Sequence, residues 1–561
     1  MSSGDTVIAK TEERHIFSDQ ILYKNRKGHL IVGCRDHSPG GDNNPYIIVP
    51  PAYGETKKDY VSLSYYLVMN GFSVIRYDNT FHLGASEGNM SDADLVHIQS
   101  DLLATIDYVA DQFRRDQVGI VATSLAARVA FKVAASDSRV ILLVSLVGVS
   151  NLQDTLRSIY REDIIEEYIQ GKRWGNIDIF GHEIKDSFIG NAIRHGFHNL
   201  DTTIQDIQNV KAPIIFFYAT GDIWISSKDT QTLYSASKHP KSELRVIPGA
   251  MHQLQENPRL AKRVICETVL KCANLLGGAD LKMVEEVKSP AMHDIVSENK
   301  IELEMMKSKN GITREGEQQF WSGYLEKFGI IFQSPDYQEL LGTVEKMMGG
   351  IVQEDRILDA GCGNGHFGMW VLEKLRRFGF IRQAELQGAL QYVGCDFIEE
   401  ALKEGRARHS TFLSKSKVSC DCRYVLTDLD EDLPFCDNYF NKICCNLVLS
   451  YVRNSNQVMK ELHRVLKIGG KLVVSSLKPY CDLSLVYRNF AELASDEREL
   501  DEARALLSNT GKIREKESEG QYHFFNEAEL HDLFSQCGFT NIVVGRTLGN
   551  QANIGVGKKT I

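Results

Sequence analysis

An apolar strand, Val118 to Val121, gives way to an apolar helix through Ala122-Thr123-Ser124-Leu125-Ala126, and this junction restricts the fold more tightly than any other stretch. A strand that turns so abruptly into a helix needs small flanking side chains, and Ala122 and Ala126 hold the places that glycine takes in the G-x-S-x-G elbow. The turn lifts Ser124 out of the backbone and leaves its hydroxyl at a helix N-terminus, where free amides and the helix dipole favour developing negative charge. Ser124 is therefore the candidate nucleophile. Serine between alanines is ordinary helix-start composition, so the partners carry the argument. They are expected in chain order nucleophile, acid, base, each in a loop after a later strand. Asp222 follows the apolar run Ile214 to Tyr218, and His252 follows Leu244 to Ile247. Both stand at strand exits, where loops converge over one edge of a parallel sheet. There His252 takes the proton of Ser124, while Asp222 fixes the imidazole tautomer and stabilises the imidazolium. The early strand Tyr46 to Val49 runs into Pro50-Pro51-Ala52-Tyr53-Gly54, which assigns the oxyanion hole to the backbone amides of Tyr53 and Leu125. A literal G-x-S-x-G, Gly84-Ala85-Ser86-Glu87-Gly88, has no amphipathic helix directly behind it and reads as a glycine-rich turn.

The segments Val74-Ile75-Arg76-Tyr77-Asp78, Ala122 to Ala130, Val147 to Leu156 and Gly181-His182 together resemble the acyl-transferase (thioesterase) family of bacterial bioluminescence. The resemblance runs over the first half of the chain. It implies an α/β-hydrolase fold and release of long-chain acyl groups from acyl carrier protein thioesters. Ser124, Asp222 and His252 match the family's nucleophile, acid and base, and its replacement of the first elbow glycine by alanine matches Ala122.

With 561 residues the chain exceeds what one core holds, since single cores stop growing near about 250–300 residues. We expect an α/β-hydrolase domain over 1–278 with a cap at about 151–210, a charged linker over 279–311 broken by Pro290, and a second α/β domain over 312–561. The net charge of −10 argues against a broad nucleic-acid surface. The longest apolar run, Val140 to Val149, is far short of a membrane span. The first residues lack an apolar signal core, which points to the cytoplasm. The 12 cysteines include no C-x-x-C pair and read as reduced thiols. Cys420 with Cys422, and Cys444 with Cys445, read as strand packing; His195 and His198 read as a solvated cap helix without a third ligand. No metal is expected.

In the second half, Ile357-Leu358-Asp359-Ala360-Gly361-Cys362-Gly363-Asn364-Gly365-His366 is a strand, a glycine-rich turn and the start of a helix. Glycine permits close approach of backbone to a ligand, yet such a turn alone fits several nucleotides. The strands downstream narrow the choice. A second strand, Tyr392 to Cys395, ends in Asp396, whose carboxylate can accept both ribose hydroxyls. A third, Tyr424 to Asp428, ends in a carboxylate that can accept from an adenine amino group. Leu433-Pro434-Phe435 and Asp437, the run Ile443 to Leu449, and Gly469-Gly470 before strand Lys471 to Ser475 complete the series.

This set resembles class I S-adenosylmethionine-dependent methyltransferases, a Rossmann-like fold, and is most similar to the small-molecule group. The resemblance implies that Asp359, Gly361, Gly363 and Gly365 approach the methionine part of S-adenosyl-L-methionine, that Asp396 with Phe397 holds the ribose, and that Asp428, Leu429 and Asn446 complete the site. An NAD-binding Rossmann domain gives no reason for Asp428, Leu433-Pro434-Phe435 or Gly469-Gly470. Phe320, Trp321 and Tyr324 are read either as an aromatic lid over the sulfonium or acceptor, or as a packed helix face. Tyr451 is placed at the acceptor pocket, and the stretch 479–516 is the candidate for acceptor selection. The whole reads as a bifunctional enzyme: a serine acyl transferase or thioesterase acting on acyl-carrier or coenzyme A thioesters, fused to a methyltransferase of a small-molecule or fatty-acid acceptor. Two other readings fit the first half, a non-catalytic module that binds acyl chains or carriers and an ester hydrolase unrelated to thioesters.

Overall fold

The computed structural model describes residues 16–277, 279–307, 314–327, 334–377, 390–416, 418–493, 496–518 and 520–560. The chain divides into two compact units, 1–302 and 303–561.

Among the described residues the first unit is built on strands β1 (Phe17–Lys24), β2 (Leu30–His37), β3 (Tyr46–Val49), β4 (Ser73–Tyr77), β5 (Val118–Thr123), β6 (Val140–Leu146), β9 (Ile214–Ala219) and β10 (Glu243–Ile247), with a separate hairpin of β7 (Asn176–Ile179) and β8 (His182–Lys185). The sheet order is β1-β2-β4-β3-β5-β6-β9-β10. β1, β2 and β4 pair antiparallel; from β4 to β10 every pairing is parallel. β3 is buried at every position and β5 at all but Thr123, as expected of central strands covered on both faces by helices. Ser124–Ser136 and Leu95–Phe113 pack on one face, Val61–Met69 and Pro258–Leu276 on the other.

The insertion between β6 and β9 holds helices Leu152–Tyr160 and Ile164–Ile169, the β7–β8 hairpin, and helices Ser187–Arg194 and Leu200–Asn209. Asn151, Asp163 and Asn199 start three of these helices by accepting from backbone amides three residues on, the usual N-cap role. Leu200–Asn209 packs against the helix that begins at Ser124. Fully buried Arg128 of that helix donates to Gly196 O (2.6 Å) and Phe197 O (3.2 Å) and pairs with Asp206 (2.8 Å). One side chain thus ties the end of the insertion to the nucleophile helix.

The stretch expected as a linker is not a free tether along its first part. Leu281, Val287 and Ile295 are buried in the core of the first unit. From helix Met292–Lys307, Glu302 and Glu298 reach Arg76 of β4 at 2.6 and 3.0 Å. Arg76, 0% exposed, also pairs with Asp36 at 2.6 Å, and Lys57 pairs with Asp78 and Glu302, both at 3.0 Å. Charged composition suggests solvent; two of the charges, Glu298 and Glu302, instead meet buried partners that lie far away in sequence. The Gly84–Gly88 turn belongs to the same corner: Ser86 Oγ accepts from Val32 N (2.9 Å) and donates to Asp78 O (2.6 Å).

The second unit is a sheet of β11 (Arg356–Ala360), β12 (Leu390–Asp396), β13 (Cys420–Leu426), β14 (Phe440–Asn446), β15 (Leu466–Leu477), β16 (Phe539–Thr547) and β17 (Ala552–Lys559), in the order β13-β12-β11-β14-β15-β17-β16 among the described residues. β17 is antiparallel to both its neighbours and the other pairings are parallel. β11 has β12 on one side and β14 on the other, so the strand order reverses there, and a crevice opens beyond the carboxyl ends of these strands. β15 begins at Leu466, ahead of Gly469-Gly470: the register slips between the pairs Phe440–Leu466 and Lys442–Lys471, and the glycines form an irregularity inside the strand. All 12 cysteines are free thiols. No described helix is long and apolar enough to cross a membrane.

Removing one member of a buried charge set leaves its partners uncompensated, which costs about 3–5 kcal/mol. Arg76→Met leaves Asp36 and Glu298 without their cation; it is expected to lower the first unit's unfolding free energy, read from urea denaturation, by that order and to leave the second unit's transition in place.

Candidate active sites

Ser124 has φ +50°, a left-handed value uncommon outside glycine. The strain is held by buried neighbours: Ala122 and Ala126 are 0% and 2% exposed, and Ser124 O accepts from Val149 N at 3.0 Å. The Ser124 hydroxyl donates to His252 Nε2 at 2.9 Å. His252 Nδ1 donates to Asp222 Oδ2 at 2.7 Å, and because a carboxylate only accepts, that contact fixes the tautomer. Asp222 Oδ1 accepts from the amides of Trp224 (2.9 Å) and Ile225 (3.1 Å), so both oxygens are held. Asp222 and His252 are both buried. Three groups from the exits of β5, β9 and β10 form one hydrogen-bonded line.

Leu125 follows Ser124 at the start of the helix, and Tyr53 lies in the turn after β3. That turn is braced by Ala52 N donating to Tyr60 OH (3.1 Å), by Tyr60 OH donating to Glu55, and by Gly54 N donating to His82 Nε2 (3.4 Å). Burial, with a smaller contribution from His182, lowers His82 to about 3, so its ring is neutral at pH 7. Sequence reasoning missed Trp224, whose ring lies 5.0 Å from that of His252, although it stands only two residues beyond Asp222.

In the second unit a cavity opens at the strand-order reversal, bordered by Asp359, Gly361, Gly363, Asp396, Phe397, Asp428, Leu429 and Asn446. Eight of the nine positions anticipated for cofactor contact therefore meet in one place. Gly365 stands behind them, its carbonyl held by His409 Nε2 at 2.7 Å. Gly361 has φ +72°, and a Cβ there would fall 2.6 Å from Val448; only glycine lets the loop lie so close. Asp396 accepts from Gly363 N (2.9 Å) and Ile398 N (3.0 Å) and still borders the cavity. Asn446 Nδ2 is buried without a hydrogen-bond partner. Trp321, Tyr324 and Tyr451 also border the cavity, with Trp321 and Tyr451 rings 4.6 Å apart. Leu325 and Val448 also border the cavity; neither carries a chemical signal in the sequence.

Asp359 is buried, with Tyr392 OH (2.7 Å) and Cys444 Sγ (3.3 Å) donating to it. Burial nevertheless raises its carboxyl to about 6. Elsewhere Cys34, Glu298 and Glu302 offer ligand atoms within 4.8 Å of one another, but Arg76 and Lys57 already supply the positive charge at Glu302.

Residues 30–309 match a family model described as acyl transferase, and residues 351–529 match a methyltransferase domain. An acyl transferase of Photobacterium phosphoreum is 29% identical over 283 residues, which is 50% of this chain and 92% of that protein. One from Aliivibrio fischeri is 27% identical over 270 residues, covering 48% of this chain and 86% of its own length. Among solved structures, the esterase domain of a Rhodothermus marinus protein covers 46% of this chain and 100% of its own, at 17% identity and TM-score 0.36.

The raised Asp359 has a measurable signature. A carboxyl whose folded-state pKa lies above its unfolded value of about 3.9 favours the fold when protonated, so its contribution is fully present below that value and is lost as pH rises to about 6. Asp359→Asn should remove this loss: the variant's stability relative to wild type, read from urea unfolding of the second unit, should improve by on the order of 1–3 kcal/mol between acid and neutral pH.

Proposed function

We propose that this chain, an acyl transferase domain fused to a methyltransferase domain, takes an acyl group from a thioester onto Ser124 in its first unit and uses S-adenosylmethionine to methylate a small or lipid-like acceptor in its second. The observation that carries the first part is the Ser124–His252–Asp222 line at 2.9 and 2.7 Å. Ser124 Oγ attacks the thioester carbonyl as its proton passes to His252 Nε2. Asp222 stabilises the resulting imidazolium. The tetrahedral oxyanion is received by the amides of Tyr53 and Leu125, in keeping with their places beside the nucleophile and after β3. When the C–S bond breaks, His252 returns the proton to the leaving thiolate. Water or an alcohol, deprotonated by the same imidazole, then removes the acyl group from Ser124.

For the second unit the fit rests on the unpartnered Asn446 Nδ2, the glycine approach at Gly361 and the two acids, Asp396 and Asp428, that border the cavity. S-adenosylmethionine supplies an electrophilic methyl group. In that reading Asp396 would accept from its ribose hydroxyls, Asp428 with Leu429 would meet the adenine, and Asp359, held by Tyr392 OH and Cys444 Sγ, would border the methionine end. Trp321, Tyr324 and Tyr451 face the acceptor side and exclude water, and proximity does most of the work of transfer. A carboxylate released by the first unit is a fitting acceptor, since it is ionised at neutral pH and needs no base.

Intact-protein mass spectrometry with acyl thioesters tests the first half. An acyl adduct is expected on wild type and none on Ser124→Ala, while Asp222→Asn should slow acylation by about 10³–10⁴-fold, the cost of a wrong tautomer. An adduct on Ser124→Ala would refute the assignment. For the second half, Asn446→Ala in the full chain should weaken S-adenosylmethionine binding by about tenfold, the scale of one lost hydrogen bond, as read by calorimetry.

A further inference from the structure

The β7–β8 hairpin of the insertion turns through Phe180-Gly181, with Ile179 paired to His182. Both turn residues have positive φ, +52° and +87°, the pattern of a type I′ turn, for which Asn-Gly is the favoured pair. Phenylalanine at the first position is strained, and such strain persists only where the surroundings impose it. Here the tip is fixed from both sides: Phe180 N donates to Tyr160 OH (3.2 Å), and Tyr53 OH donates to Ile179 O (3.1 Å).

The ring held there meets both arms of the candidate machinery. Phe180 lies 4.8 Å from the Trp224 ring and 6.3 Å from the Tyr53 ring, and Trp224 in turn lies 5.0 Å from His252. Phe180 and Trp224 are only half-buried, so an aromatic surface that reaches His252 through Trp224 is left partly uncovered. Trp224 Nε1 is buried without a hydrogen-bond partner. A hairpin needs no aromatic side chain at its tip for its own stability; an apolar substrate beside Ser124 does.

We propose that Phe180, seated on Trp224, is the specificity-determining residue of the acyl site: its ring forms the wall that receives a long apolar acyl chain and shields the acyl-Ser124 ester from water. This rests on the thioester reading of the first unit and adds to it the element that selects the acyl group. Shielding biases the ester toward an acceptor that can bind against the wall, and away from hydrolysis.

Phe180→Asn separates this role from a structural one, because asparagine suits the turn better than phenylalanine. The full-length variant and wild type are compared on acetyl-, hexanoyl-, dodecanoyl- and hexadecanoyl-coenzyme A, reading acylation of Ser124 and decay of the adduct by intact mass, alongside the melting temperature. The variant should melt no lower than wild type. Its kcat/KM for the long chains should fall about tenfold or more relative to acetyl, the scale of one lost aromatic contact surface, and its adduct should hydrolyse faster. Phe180→Tyr, which keeps the ring, should retain the wild-type preference. If wild type acylates while Phe180→Asn keeps both chain preference and adduct lifetime, the inference is overturned and the thioester reading stands. If wild type forms no adduct with any member of the series, that reading falls and takes the inference with it.

Discussion

Parallel strand pairing is the constraint on which both sites depend. Strands that run the same way end at the same edge, and the register makes the edge level: Leu146 pairs with Phe217, and Ala219 with Ile247. Side chains that leave β5, β9 and β10 therefore start from one ledge, although Ser124 and His252 are 128 residues apart. The same geometry at β11, β12 and β14 gathers Asp359, Asp396 and Asn446 around one crevice. An antiparallel sheet would alternate its ends and scatter these groups to opposite edges. Chemistry here is a consequence of strand direction first and of residue identity second.

That dependence explains what the sequence disclosed. A strand exit is a local signal, an apolar run followed by a polar or glycine-rich turn, and Ser124, Asp222, His252, Asp396 and Asp428 all announce themselves in that way. Gly365 shows the limit: its spacing matches a contact residue, but its backbone faces His409, because neighbouring loop residues point in different directions. Residues that act through long-range packing carry no such mark. Glu298 and Glu302 look like part of a solvated charged stretch until Arg76 and Lys57 are seen beside them. Phe180 is one aromatic among several in the insertion, and only the hairpin register and its positive φ single it out. The boundary between the units was hidden for the same reason, since hydrophobic residues such as Leu281 and Val287 are too sparse to signal a core they join only at a distance.

The two sites differ in how complete they are. In the first, each member of the Ser124–His252–Asp222 line already has its partner, and Asp222 is held by two further amides. Such a site is preorganised: little has to move when charge develops, which is where electrostatic catalysis gains most. The strain at Ser124 is part of that arrangement, since a relaxed backbone would draw the hydroxyl back toward the helix.

The second site keeps two unmet demands. Asn446 Nδ2 lacks an acceptor, and Asp359 sits in surroundings that raise its carboxyl to about 6 despite two donors. Both count against the stability of the fold for as long as nothing meets them. A ligand that offers an acceptor to Asn446 and positive charge near Asp359 relieves both at once, and binding to the folded state alone then stabilises it.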